Sequence, residues 1–136
     1  MKTLSLEECN AGIKWFFPEL AGIDFTKVTK EEVIGKIKLR PELMAPNGFL
    51  HAGLVVTLAD TVCAWGTRLN MNDQAKGLTT IELKTNFLST TKEGVIMSIA
   101  IPLHVGRTTQ VWDSVVKSQT TGKVMAHFRN TQMILY

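Results

Sequence analysis

The chain has 136 residues, 45 % of them hydrophobic and 20 % charged, with a formal net charge of +3. That length and balance exclude a disordered segment and are enough to bury a core without staples, so 1–136 is expected to be one domain. Two cysteines, Cys9 and Cys63, exclude a disulfide framework; no Cys or His pair has zinc-ligand spacing, and the scattered basic residues lack the stripe of a nucleic-acid module.

In chain order, the segment MKTLSLEECN at 1–10 lacks the apolar run and cleavage site of a signal peptide. Ser5 followed by Leu6-Glu7-Glu8 predicts a helix start, with Glu8 in the capping-box place if Ser5 is the cap. Ile13, Trp15, Phe16, Phe17 and Leu20 form a dense apolar run that Pro18 limits. Trp15, Phe16 and Phe17 either line a pocket or fill core, and an aromatic cluster beside a helix is more often core. Residues 25–39 are expected as one strand carrying Val33, Ile34, Ile37 and Leu39, with Gly35 marking a bulge or a close contact. Residues 41–48, with two prolines and an Asn-Gly pair, read as loop.

From His51 to about Leu69 the pattern is a helix apolar nearly all round, which is the mark of a buried one. Its most apolar stretch, 54–65, is broken by Thr57, Asp60 and Thr61 and is too short to span a bilayer, so no membrane partner and a cytoplasmic location are expected. Four runs then supply a wrapper: 79–89, 93–103 closed by Pro102, 108–118, and 123–135 after the Thr120-Thr121-Gly122 turn. Period-two alternation with short turns predicts an antiparallel meander with one buried face. The expected fold is α+β, a curved antiparallel sheet wrapped around a central buried helix.

Asp60 breaks the apolar helix. A buried, unpaired carboxylate is very costly, so Asp60 is expected to be partnered, exposed in a cleft or shifted in pKa, the bland reading being that it hydrogen-bonds backbone groups at a subunit or loop junction. Gly53, Thr57, Thr61 and Ala64 share its face and make a narrow stripe of small side chains. His51 opens the same helix, where the N–H groups of Ala52 and Gly53 have no intrahelical partner and attract negative charge. Nine residues along a helix amount to about 13 Å and about half a turn. His51 and Asp60 therefore cannot easily serve one reacting atom within one chain, and joint action implies a two-fold dimer.

The segment Asn47-Gly48-Phe49-Leu50-His51-Ala52-Gly53, continued by Leu54-Val55-Val56-Thr57-Leu58-Ala59-Asp60-Thr61, resembles the signature of hotdog-fold acyl-CoA thioesterases of the PaaI-like group. Thr80-Ile81-Glu82-Leu83-Lys84-Thr85-Asn86-Phe87-Leu88 is similar to that family's strand after the helix, and His104-Val105-Gly106-Arg107-Thr108-Thr109-Gln110-Val111-Trp112-Asp113 to its Gly-Arg strand. The resemblance covers residues 40–135. It implies the hotdog fold, an acyl-CoA substrate and a homodimer or homotetramer, with no metal and no cofactor beyond the substrate's own coenzyme A. It implies Asp60 as nucleophile or general base, His51 orienting the thioester, and the N–H of Ala52 or Gly53 polarising the thioester oxygen from the partner subunit. Thr80 is implied to position water, and Gly106, Arg107 and Thr108 to lie near coenzyme A, with Arg107 pairing a phosphate.

Two positions depart from the pattern: Ala52 stands where the family has the first glycine of its His-Gly-Gly motif, and Ala45 where some relatives have Gln or Asn. Asn47, four residues before His51, is the expected stand-in. The two alanines support an alternative, a non-hydrolysing acyl-CoA binding or sensing protein on the same fold. A hydratase ranks lower, because Trp65 stands where such relatives carry a His after the Asp. Cys63 and His127 are expected to be structural and His104 a solvated strand end.

Overall fold

The computed structural model describes residues 3–136; Met1 and Lys2, the first two residues of the segment read for a signal peptide, lie outside them. The chain opens with two short helices, α1 (Leu6–Gly12) and α2 (Phe17–Ala21). Ser5 caps α1: its hydroxyl accepts from the Glu8 N–H at 3.1 Å while the Glu8 carboxylate accepts from the Ser5 N–H at 2.8 Å. Pro18 falls in the first turn of α2, where its missing N–H costs nothing.

Strands β1 (Ile23–Val28) and β2 (Val33–Lys38) occupy the segment expected to be one strand. The reason is a polar break. Thr29 receives the chain back through its N–H and hydroxyl to the Glu32 carbonyl, at 2.9 and 3.0 Å, and turns it into a hairpin. Gly35 is a close contact, since a Cβ there would stand 2.8 Å from Val62 Cγ2.

Helix α3 (Ala52–Leu69) runs along one face of the sheet with Leu54, Val55, Leu58, Ala59, Val62 and Cys63 buried. The remaining strands are β3 (Gly77–Phe87), β4 (Val95–Val105), β5 (Thr109–Ser118) and β6 (Val124–Leu135), and the antiparallel order is β1-β2-β4-β5-β6-β3. This is the hotdog fold, a curved sheet around a central helix. Among the described residues no helix is long and apolar enough to cross a membrane.

Three expectations about the sheet are corrected. The strands do not form a simple meander: β3 pairs with β6 at the far edge, and the chain crosses back to place β4 beside β2. β4 is not closed by Pro102 but runs on to Val105, because a register shift between Pro102 and His104 absorbs the missing donor. The apolar row of β3 is not buried either. Leu83 and Phe87 are 40 % and 49 % exposed, because β3 is the sheet edge away from α1 and α2, which pack on the opposite edge strand β1.

Candidate active site

Asp60 lies half-buried in the third turn of α3. Its Oδ1 accepts from Asn130 Nδ2 at 2.9 Å and from the Thr80 hydroxyl at 3.3 Å. Thr80 is in turn held by Gln132, whose Nε2 donates to its hydroxyl oxygen at 2.9 Å. Among the described residues nothing donates to Asp60 Oδ2. An ionised carboxylate gains most from donors that need not move to reach it, and here two strands of the sheet supply them.

Thr80 reaches Asp60 through a bulge. The register of β3 against β6 shifts between Thr80 and Glu82. Thr80 pairs with Gln132 on one side of the shift and Leu83 with Asn130 on the other, and both partners are fully buried beneath the helix. Plain alternation would place Thr80 with Glu82 and Lys84 on the outer face; the bulge turns it inward. Asn130 and Gln132 were not among the residues singled out in the sequence. Their signal is two amides in the inward row of β6, between Phe128 and Ile134, where alternation calls for apolar side chains.

The other candidate residues open α3. His51 is its N-cap, and its Nδ1 accepts from the Gly53 N–H at 2.9 Å. The neutral ring therefore carries its proton on Nε2. The Gly53 N–H is spent on that cap, the Leu54 N–H donates to the His51 carbonyl at 3.0 Å, and among the described residues the Ala52 N–H donates to nothing. Asn47 is exposed, and its Oδ1 accepts from the Phe49 N–H at 3.1 Å, a turn-forming bond. Beside the helix start lies a cavity of about 510 Å³ walled by Phe17, Leu20, Leu43, Met44 and Leu54 and including His51.

The structure thus groups Asp60 with Thr80 and, separately, His51 with Ala52 and Gly53. Asp60 does not line the cavity at the helix start. The aromatic cluster is not core: Trp15 is 92 % exposed, with Phe16 and Phe17 also at the surface. Trp15 has a positive φ of 71°, and Phe17 reaches the cavity wall.

Gly106, Arg107 and Thr108 form the tip between β4 and β5. The Gly106 N–H donates to the Thr109 carbonyl at 2.9 Å, and the Ile134 N–H to the Thr108 carbonyl at 2.8 Å. The Arg107 guanidinium lies 5.3 Å over the Tyr136 ring, and the Tyr136 hydroxyl donates to the Arg107 carbonyl at 2.6 Å. Arg107 is exposed and, among the described residues, faces no carboxylate within ion-pair distance. Gln110, two residues into β5, pairs with Gln132, so this tip stands at the same end of the sheet as Thr80.

Cys63 is fully buried, and burial pushes its thiol well above the ordinary value, with the charges of Asp60 and Asp113 adding to the effect. It packs and does not attack. His104 and His127 are exposed. A larger hollow of about 870 Å³ on the outer sheet face contains none of the candidate residues.

Comparison with known proteins matches residues 47–125 to the thioesterase superfamily. The chain is 32 % identical to ComA2 of Bacillus subtilis, over 69 % of this chain and 75 % of that one. It is 26 % identical to the 1,4-dihydroxy-2-naphthoyl-CoA hydrolase of Listeria monocytogenes, over 75 % of this chain and 82 % of that one. The crystal structure of a mutant of thioesterase PA1618 from Pseudomonas aeruginosa superposes with a TM-score of 0.92 at 28 % identity, covering 98 % of this chain and 96 % of that chain.

Proposed function

The chain belongs to the thioesterase superfamily, and from that premise we propose that it hydrolyses an acyl-CoA thioester to a free acid and coenzyme A. The observation that carries the proposal is the Asp60 carboxylate, pinned through Oδ1 with Oδ2 left open. In this reading Oδ2 either draws a proton from the water that attacks the carbonyl carbon, or attacks that carbon itself to give an anhydride that water then opens. In both routes the C–S bond breaks and the coenzyme A thiolate takes up a proton.

The negative charge that builds on the thioester oxygen needs a donor already in place. The Ala52 N–H at the positive end of α3 is the donor we assign, because His51 occupies that of Gly53. The His51 Nε2–H orients the thioester at the cavity mouth, Asn47 shapes the turn that leads into the helix, and Thr80 holds Asp60 and the water beside it. About 13 Å of helix rise separates Asp60 from this end, so the site joins Asp60 of one protomer to the helix start of another. The exposed apolar row on the edge strand β3 supports a homodimer, from which a tetramer can be built. The coenzyme A arm runs toward the Gly106-Arg107-Thr108 tip, where Arg107 pairs a phosphate. No further cofactor is required, and two free buried cysteines suit a reducing cytoplasm.

The test is hydrolysis of a panel of aryl, short-chain and long-chain acyl-CoA thioesters, with free thiol as the readout. Asp60→Asn is expected to remove at least about 99 % of turnover while leaving the affinity for a non-hydrolysable thioether analogue within about threefold. Parental turnover in that variant overturns the role of Asp60. Binding of the panel without turnover by the parent favours the non-hydrolysing reading.

A further inference from the structure

We infer that Asn130 is a positioning residue for Asp60, with Gln132 assisting through Thr80. This inference rests on the hydrolase reading and concerns how its carboxylate is aimed.

The inward row of β6 runs Phe128, Asn130, Gln132, Ile134, and all four are buried. Burying two amides where apolar side chains would serve is unfavourable unless their hydrogen bonds are used. Both are used at one place. Asn130 Nδ2 donates to Asp60 Oδ1 at 2.9 Å, and Gln132 Nε2 donates to the Thr80 hydroxyl oxygen at 2.9 Å. Thr80 has a single proton. With Gln132 Nε2 donating into its oxygen, that proton has two acceptors in reach, Gln132 Oε1 at 3.1 Å and Asp60 Oδ1 at 3.3 Å, and the carboxylate oxygen is the stronger acceptor of the two. Both donors thus converge on one oxygen of the carboxylate and leave the other for the substrate.

Asn130 holds this arrangement at its own expense. Its Oδ1 is buried and, among the described residues, has no hydrogen-bond partner. Flipping the amide would set that oxygen against Asp60 Oδ1, so an ionised Asp60 fixes the amide with its NH₂ inward. A residue that served packing alone would not leave a buried carbonyl oxygen unpaired. Groups held at some cost to the fold gather where function needs them.

The test has two arms. In the first, kcat and KM for benzoyl-CoA and a straight-chain acyl-CoA panel are measured with Asn130→Leu, a near-isostere without a donor, and with Gln132→Leu, alongside thermal melting. The expected result is a kcat lower by about 10-fold or more for Asn130→Leu, a smaller loss for Gln132→Leu, KM within about twofold, and little change in melting temperature. Unchanged kcat, or a kcat loss that only tracks lost stability, overturns the inference. In the second arm, the Asn130 side-chain NH₂ signals are followed by ¹⁵N NMR in the intact protein. One N–H proton is expected to be shifted downfield and protected from exchange, and to lose both properties in Asp60→Ala. Indifference to Asp60→Ala overturns the inference. If the parent hydrolyses no acyl-CoA, the hydrolase reading fails, and the NMR arm still decides whether Asn130 holds Asp60.

Discussion

Asp60 and Ala52 sit on the same helix, and in the proposed mechanism each needs a different physical condition. Asp60 needs donors that hold a charge inside an apolar layer, and the sheet supplies them from Thr80 and Asn130. Ala52 needs only an uncommitted N–H at a helix start. The conformation there permits a clean test. His51 has φ −65° and ψ 128°, the extended geometry that a residue before proline prefers, and proline is well tolerated at the first helical position. Ala52→Pro is therefore expected to fold, with a melting temperature within a few degrees of the parent, and to lose about 10²- to 10³-fold in kcat through removal of the single N–H. Wild-type kcat in Ala52→Pro would move the oxyanion donor elsewhere. Asp60 and His51 were legible in the sequence because each is a polar residue at a conspicuous place, inside or opening an apolar helix. Asn130 and Gln132 were not, because an amide within an alternating strand has no visible partner until the register is known. That His51 would consume the Gly53 donor also depends on a rotamer that spacing does not specify.

At the level of elements, short-range patterns are legible in the sequence and long-range pairings are not. The Ser5 capping box, the helix from His51 to Leu69 and the four later strands follow from short-range pattern. The hairpin of β1 and β2 is not legible in the sequence because its polar turn is only a few residues long. The place of β3 beside β6, and the bulge that turns Thr80 inward, depend on pairing across some fifty residues of chain. The contact between β2 and α3 is sharper than the sequence suggested. Gly35 lets the helix approach the sheet until a Cβ would collide with Val62 Cγ2 at 2.8 Å. Gly35→Ala is expected to destabilise the fold by roughly 1–3 kcal/mol, because a branched side chain on a buried helix has nowhere to retreat. Denaturant unfolding checks this; a midpoint unchanged or raised would show that the helix gives way freely.

At the scale of the whole molecule, the proposed active site is shared between two chains. Within a protomer the carboxylate and the helix start lie about 13 Å apart by helix rise, and the cavity at the helix start does not include Asp60. The chain also leaves an apolar row uncovered on the edge strand β3. One measurement tests the sharing directly: Asp60→Asn and Ala52→Pro chains, each inactive alone, are unfolded together in equal amounts, refolded, and assayed for acyl-CoA hydrolysis. Random pairing makes about half the dimers mixed, and a mixed dimer has one intact site and one doubly defective site. Recovery of about a quarter of parental activity is predicted. If mixed dimers form and no activity returns, each site is built from a single chain and the shared site is ruled out.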